Sequence, residues 1–227
     1  MEKLILLHGA LGSKEQLEEL AYLLKEKYQV YTFNFSGHGD QPSIEPFSND
    51  LFSENIYQFL SENKIEKCHL FGYSMGGYVA LYFANKYPDK IGKIITLATK
   101  FNWTLETAAK EIKMLNPNII EEKVPKFAAV LKARHVANDW KMVLNKTADM
   151  MLGLGNGNAL KENDLKSIKN EVLIAVGDVD KMVAVDESSW AVENLPNGKL
   201  MVLNGVEHPI EKVDRQELSK MILNFIQ

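Results

Sequence analysis

Cysteine is nearly absent. Cys68 is the only one in 227 residues, so no disulfide can form within the chain. A disulfide-stapled scaffold is excluded, and a reducing compartment fits. Long apolar runs are missing too. None approaches the roughly 20 residues that a membrane-spanning helix needs. Met1-Glu2-Lys3 is followed by the apolar run Leu4–Leu7 alone, short of the ~7–15 residues of a secretory core segment. These absences predict a cytoplasmic protein with no membrane partner. Basic charge is not in excess: 26 Lys and Arg stand against 30 Asp and Glu, a net charge of −4. Phosphate binding needs a basic surface, so nucleic acid is not the expected partner. No His, Cys and Asp cluster has zinc-ligand spacing, so no metal and no cofactor are expected.

What remains is ordinary globular composition, 46% hydrophobic and 25% charged, with enough length for one α/β domain and a sizeable core. Short apolar runs (Leu4–Leu7, Val30–Phe35, Cys68–Gly72, Ile94–Ala98, Val172–Val176 and Leu200–Leu203) alternate with amphipathic stretches. Most are near-continuously apolar, the pattern of strands buried on both faces of a parallel sheet. Between them lie helical stripes: Leu17, Leu20 and Leu24; Ile56, Phe59 and Leu60; Val79, Phe83 and Tyr87, which must end before Pro88. Trp190 and Leu195 mark another, opened near Asp186, and Val213, Leu218, Ile222 and Phe225 the last. Such alternation implies right-handed crossovers and helices on both sheet faces.

The alternation breaks after Ala98. Residues 99–169 carry helical spacings and no clear strand: Leu105, Ala108, Ile112 and Leu115; Pro125 opening a helix with Ala128, Leu131 and Ala133; then Trp140, Leu144, Thr147 and Met151, closed by glycines at 153, 155 and 157. This segment is read as a helical lid inserted into a core made of residues 1–98 and 170–227. Ordinary sheet-covering helices are the rival reading, and the missing strand favours the lid.

Gly72-Tyr73-Ser74-Met75-Gly76 sits between the strand His69-Leu70-Phe71 and the helix beginning Tyr78-Val79-Ala80. A serine at a tight strand-to-helix turn is held in a strained conformation, and glycines two residues either side let the chain turn without Cβ clashes. The turn lifts the hydroxyl above the strand ends and frees the Met75 amide at a helix N-terminus. A phosphate loop is the rival, but the G-x-x-x-x-G-K-[ST] pattern is lacking here.

With these residues in hand, the chain resembles the α/β-hydrolase family over nearly its full length. Four landmarks occur in the family's order: Leu7-His8-Gly9-Ala10-Leu11-Gly12-Ser13 after the first strand, Ser36-Gly37-His38-Gly39-Asp40 after the second, the Ser74 elbow, and a late acid and histidine. The resemblance implies an α/β fold with a mostly parallel sheet, helices on both faces and an inserted helical lid. Many relatives have two strands before the first landmark loop. Here at most one fits, so a reduced sheet of six strands is expected. The resemblance also implies a catalytic Ser74, with the amides of Ala10 and Met75 forming the oxyanion hole. Of five histidines, His208 lies just after the last strand, where the family keeps its base. His69 reads as a core residue, His135 lies in the lid, and His8 reads as a brace for its own loop. Two acids compete in Gly177-Asp178-Val179-Asp180. The family's G-x-x-D pattern selects Asp180 and leaves Asp178 as a solvated turn residue. Dehalogenase-like and epoxide-hydrolase-like branches are disfavoured, because they would need an aspartate at position 74.

The function implied is a serine hydrolase that cleaves a carboxylic ester or related acyl bond through an acyl-enzyme, with a small acyl molecule as substrate. A lyase or cofactor-free proton-transfer enzyme on the same scaffold, and a non-catalytic ligand receptor, are the alternatives, because fold alone does not decide chemistry. His38, Trp103, Phe127, Trp140, Met150 and Met151 are candidates for lining the substrate pocket. Charge in the lid is near balance and gives no reason to expect an anionic substrate.

Overall fold

In a computed structural model describing residues 1–227, a six-stranded, entirely parallel sheet runs through the molecule in the order β2-β1-β3-β4-β5-β6. The chain lays down β1 (Lys3–Leu7), α1 (Glu18–Leu24), β2 (Gln29–Thr32), α2 (Asn49–Glu62), β3 (Cys68–Tyr73), α3 (Met75–Lys86) and β4 (Ile91–Leu97). It then leaves the sheet for α4 (Leu105–Glu111), α5 (Pro117–Lys123), α6 (Pro125–Arg134), α7 (Trp140–Gly153) and α8 (Glu162–Ser167). It returns as β5 (Val172–Gly177), α9 (Val185–Asn194), β6 (Gly198–Leu203) and α10 (Arg215–Ile226). No helix is long and apolar enough to cross a membrane.

The period-2 geometry of a strand divides the core in two. Leu4 and Leu6 of β1, with Phe71, Ile95 and Leu173, pack against Leu17, Leu20 and Leu24 of the α1 region and Leu218 and Ile222 of α10. Ile5 and Leu7, with Leu70, Ile94 and Val172, meet α2 and α3 through Phe52, Ile56, Val79 and Phe83, and the α9 region through Ala191 and Leu195. Both faces of the central strands are thus covered, which is why those strands read as continuous apolar runs.

The two edges differ. The run Val30–Phe35 predicts a longer strand than β2, which ends at Thr32. β6 carries an apolar run like the others, yet its Leu200, Met201 and Val202 are exposed, because it is an edge strand with β5 as its only neighbour. Hydropathy reports side-chain type, not position in the sheet.

Strand order sets the location of the site. From β1 the chain moves outward to β2, then crosses back to β3 on β1's other side. The segments leaving the carboxyl ends of β1 and β3 therefore diverge and open a crevice, the usual binding position in such sheets. The β4–β5 connection holds only helices, and part of it has its own small core: Ile120, Ala128, Leu131, Trp140 and Leu144.

Candidate active site

Ser74 stands between β3 and α3 with φ 51° and ψ −115°, a conformation L-residues seldom adopt. Its backbone is held on both sides: its N–H donates to the Leu97 carbonyl at 2.8 Å, and its carbonyl accepts the Thr99 hydroxyl at 3.0 Å. The neighbouring glycines are required by close approach. A Cβ on Gly72 would strike the backbone of Gly76 and Gly77, and one on Gly76 would lie 2.5 Å from the Leu7 carbonyl oxygen. The elbow is thereby pressed against the end of β1 and the loop that follows it.

That loop carries a second unusual conformation, Leu11 at φ 57°. His8 braces it: Nδ1–H donates to the Gly9 carbonyl at 2.8 Å, and Nε2 accepts the Phe35 N–H at 3.2 Å. The end of α6 and the residue after it grip it from outside. Arg134 donates to the Leu11 carbonyl at 2.8 Å, and His135 Nε2 contacts the same oxygen at 3.2 Å. Neither Ala10 nor Met75 donates its amide to any loop, turn or cap acceptor, and both residues face one cavity with Ser74. For Met75 the reason is general, since the first amides of a helix have no partner within it.

His208 follows β6, and its Nε2 lies 3.4 Å from Ser74 Oγ. Tyr73 holds the histidine's own segment, its hydroxyl donating to the His208 carbonyl at 3.1 Å. Behind the ring, His208 Nδ1 sits 2.8 Å from Asp180 Oδ2. Asp180 Oδ1 accepts the Met182 and Val183 amides at 2.7 and 3.0 Å. The Asp180 side chain is completely buried. Burial pushes its carboxyl upward, but the His208 hydrogen bond and charge and the two amides outweigh that, and its pKa ends below the ordinary value. A carboxylate there fixes the proton on Nδ1 and leaves Nε2 free to accept from the serine. Asp178 points elsewhere: it is exposed, and its Oδ1 accepts the Gly205 amide at 2.7 Å.

The cavity beside Ser74 has a volume of about 50 Å³. Trp103 and Met151 line it, as does Met150. Three other pocket candidates do not. His38 is fully buried beside Phe47, Phe52, His8 and His135, with Nδ1 held at 3.2 Å from the Ser36 carbonyl. Burial, then the neighbouring rings, hold its pKa well below the ordinary value. Phe127 is on the outer surface of α6, 39% exposed. Trp140 fills the small core of the helical segment. One stripe along α7 explains the last failure: its first half, Trp140 and Leu144, packs inward on α5 and α6, while Thr147, Met150, Met151 and the following Leu154 reach the cavity. Periodicity identifies the stripe and cannot divide it.

Tyr78, Lys100, Thr147 and Leu154 also line the cavity and were not anticipated. Lys100 had a signal, because it lies just beyond the carboxyl end of β4 and hence at the sheet's binding rim.

A switch-point crevice, an elbow serine and a carboxylate-backed imidazole define the class of the α/β hydrolases. The description of the alpha/beta hydrolase fold matches residues 3–158, and the chain belongs to that family. Among curated proteins, it is 33% identical over 95 residues to an abhydrolase domain-containing protein of Schizosaccharomyces pombe, covering 41% of this chain and 35% of that one. It is 24% identical over 235 residues to a probable alcohol acetyltransferase of Wickerhamomyces anomalus, covering 92% of this chain and 65% of the other. The chain thus spans less than two thirds of the length of these relatives. A solved serine hydrolase from Cycloclasticus zankles superposes with a TM-score of 0.82 at 18% identity, covering 99% of this chain and 89% of that one, a likeness of fold.

Proposed function

We propose that this chain is a serine hydrolase that cleaves a carboxylic ester or related acyl bond through an acyl-enzyme on Ser74. One observation carries the reading. The hydroxyl of Ser74, the imidazole of His208 and the carboxylate of Asp180 form a chain at 3.4 and 2.8 Å, and its Ser74 end lines a cavity together with Ala10 and Met75, whose amides are undonated.

His208 Nε2 takes the hydroxyl proton as Ser74 Oγ attacks the acyl carbonyl. The imidazolium that forms is stabilised by Asp180, which stays ionised. Negative charge moves to the carbonyl oxygen, where the Ala10 and Met75 amides receive it, each such donor typically contributing about 3–4 kcal/mol to the barrier. The imidazolium then returns its proton to the leaving oxygen, and the acyl group remains on Ser74. A water molecule deprotonated by the same ring releases the acid and restores the serine. An alcohol in the water's place would give acyl transfer, the activity in the name of the Wickerhamomyces relative. A serine–imidazole distance of 3.4 Å is long for a hydrogen bond, and such bonds commonly tighten when substrate arrives.

Residues 99–169 are read as the lid over this site, supported by the cavity wall that α7 and Trp103 supply. The test is labelling with a fluorophosphonate followed by hydrolysis of p-nitrophenyl esters. Wild type should label and turn over, and Ser74→Ala should do neither. Labelling with no turnover on any ester would favour the proton-transfer enzyme or the non-catalytic receptor, and near-wild-type turnover in Ser74→Ala would refute the assignment.

A further inference from the structure

A second, solvent-open groove of about 620 Å³ lies between the helical segment and the α9 end of the core, with Phe101, Ala159, Leu160 and Trp190 on its apolar side and Lys161, Glu162, Asp186 and Glu187 at its charged rim. Two side chains, Trp103 and Leu154, line both this groove and the cavity beside Ser74. They are the partition.

Both halves of this partition are anchored. The Trp103 indole N–H donates to the Lys100 carbonyl at 3.1 Å, and the Trp103 amide to the Phe101 carbonyl at 2.9 Å. Leu154 opens the wide turn Leu154–Asn158. The next residue, Gly155, is pressed so closely on α4 that a Cβ there would lie 2.7 Å from both the Thr104 carbonyl oxygen and the Ala108 methyl. The turn therefore has no room to move toward α4.

The cavity beside Ser74 is also chemically plain. Four of its wall residues carry polar groups: Ser74, Tyr78, Lys100 and Thr147. Three are engaged elsewhere. The Lys100 ammonium donates to the Met182 carbonyl at 3.0 Å and lies 3.4 and 3.8 Å from Glu111 and Glu187. The Thr147 hydroxyl donates back to the Val143 carbonyl at 2.7 Å, and the Tyr78 oxygen accepts the Leu160 amide. An acyl group entering here meets methylenes, methyls, thioethers and an indole. About 10–15 Å³ of such space holds one water-sized group, so 50 Å³ takes roughly four non-hydrogen atoms.

We infer that Trp103 and Leu154 set the acyl specificity of this site, restricting it to short, uncharged acyl groups, and that removing the indole joins the cavity to the groove and admits long chains. This rests on the hydrolase reading of Ser74.

The experiment compares p-nitrophenyl acetate, butyrate, octanoate and dodecanoate on wild type, Trp103→Ala and the milder Trp103→Leu, with melting curves to establish folding. Straight-chain amides from acetamide to octanamide provide a second readout that needs no turnover, through the rise in Tm they cause. Wild type should favour butyrate over octanoate by about tenfold or more in kcat/KM, the scale on which a hydrophobic pocket rejects surplus methylenes. The Trp103 variants should shrink or invert that ratio, and octanamide should raise their Tm while leaving wild type unmoved. Octanoate turned over as fast as butyrate by wild type, or the same ratio in folded Trp103 variants, would overturn the inference. Amide discrimination without any ester turnover would uphold the partition and overturn the hydrolase reading, and turnover without discrimination would do the reverse.

Discussion

Ser74 is held at φ 51°, a backbone state that costs on the order of 1–3 kcal/mol for a residue with a Cβ. The elbow is therefore a place where stability is given up to aim a hydroxyl. Replacing the side chain separates the two quantities. Ser74→Ala removes the hydroxyl and keeps the strain, whereas Ser74→Gly removes both. In urea titrations Ser74→Gly should be more stable than Ser74→Ala by about 1 kcal/mol, with both inactive on esters. Equal midpoints would mean that the turn is not strained. The acid divides in the same way. Asp180 holds the ring nitrogen at 2.8 Å, while Asp178 caps the Gly205 amide in solvent. Asp180→Asn should lower kcat by about 10⁴-fold, because an amide no longer fixes the proton on Nδ1. Asp178→Asn should change kcat less than about threefold, since an asparagine oxygen can still accept from Gly205. A reversed order in steady-state kinetics would transfer the role to Asp178. Residue by residue, Ser74 was legible from its strand-to-helix turn, whereas Asp180 and His208 were picked out from their neighbours by the family pattern that the sequence resembles, since Asp178 sits closer to the end of β5. His38 and Phe127 misled because a histidine or phenylalanine near the rim carries no mark of the direction it faces.

At the level of elements, the helical segment does more than wall the cavity. The end of α6 and the residue after it place Arg134 and His135 on the carbonyl of Leu11, next to the amide of Ala10. Arg134 also reaches Glu211, 3.6 Å away, three residues after His208. One side chain thus ties together the segment, the loop after β1 and the stretch after the histidine. Arg134→Met keeps the apolar stem and removes the fork. It should lower kcat about tenfold while changing KM little, because what is lost is the placement of an amide that acts in the transition state. Loss confined to KM would argue that the tie positions substrate instead. The tie had no signature in the sequence, as Leu11 and Arg134 are 123 residues apart. Central strands were read well because burial on both faces leaves an unbroken apolar run. β2 and β6 were placed correctly, but hydropathy alone does not mark them as edge strands, and α5 and α8, of 7 and 6 residues, were too short for a stripe to register.

Across the whole molecule, the groups expected to make it sensitive to acid lie outside the line from Ser74 to Asp180. His8, His38 and His135 are almost wholly buried, and their rings stand 5.1 and 5.6 Å apart in sequence from His8 through His38 to His135. Burial, the largest cause, pushes His8 and His135 down from 6.5 to about 4, with neighbouring charge, including the Arg134 guanidinium, adding to it. The Gly39 amide donates to His135 Nδ1 at 3.0 Å and the Phe35 amide to His8 Nε2 at 3.2 Å, so protonating either ring breaks a buried hydrogen bond. The sign follows from proton counting. Between pH 6.5 and 4 the unfolded chain binds protons that the folded chain refuses, so stability is complete above about pH 6.5 and falls as pH drops through that window. At about 1.4 kcal/mol per unit of pKa, each of the two rings can cost roughly 3 kcal/mol by pH 4, against a total stability typically of 5–15 kcal/mol. Asp180, whose pKa is depressed, loses its contribution only below the ordinary carboxylate value and so acts later. Urea unfolding at pH 7.5, 6.5, 5.5 and 4.5 should therefore give a flat upper arm and a steep decline below 6.5. His135→Gln, which can still accept from Gly39 and donate to Leu11, should remove a visible share of the slope while leaving the upper arm nearly in place. A stability that stayed level down to pH 4.5 would mean that these rings take up protons without cost to the fold, and the lock they form between the first landmark loop, the Gly39 turn and α6 would have to be held by something other than neutral imidazole.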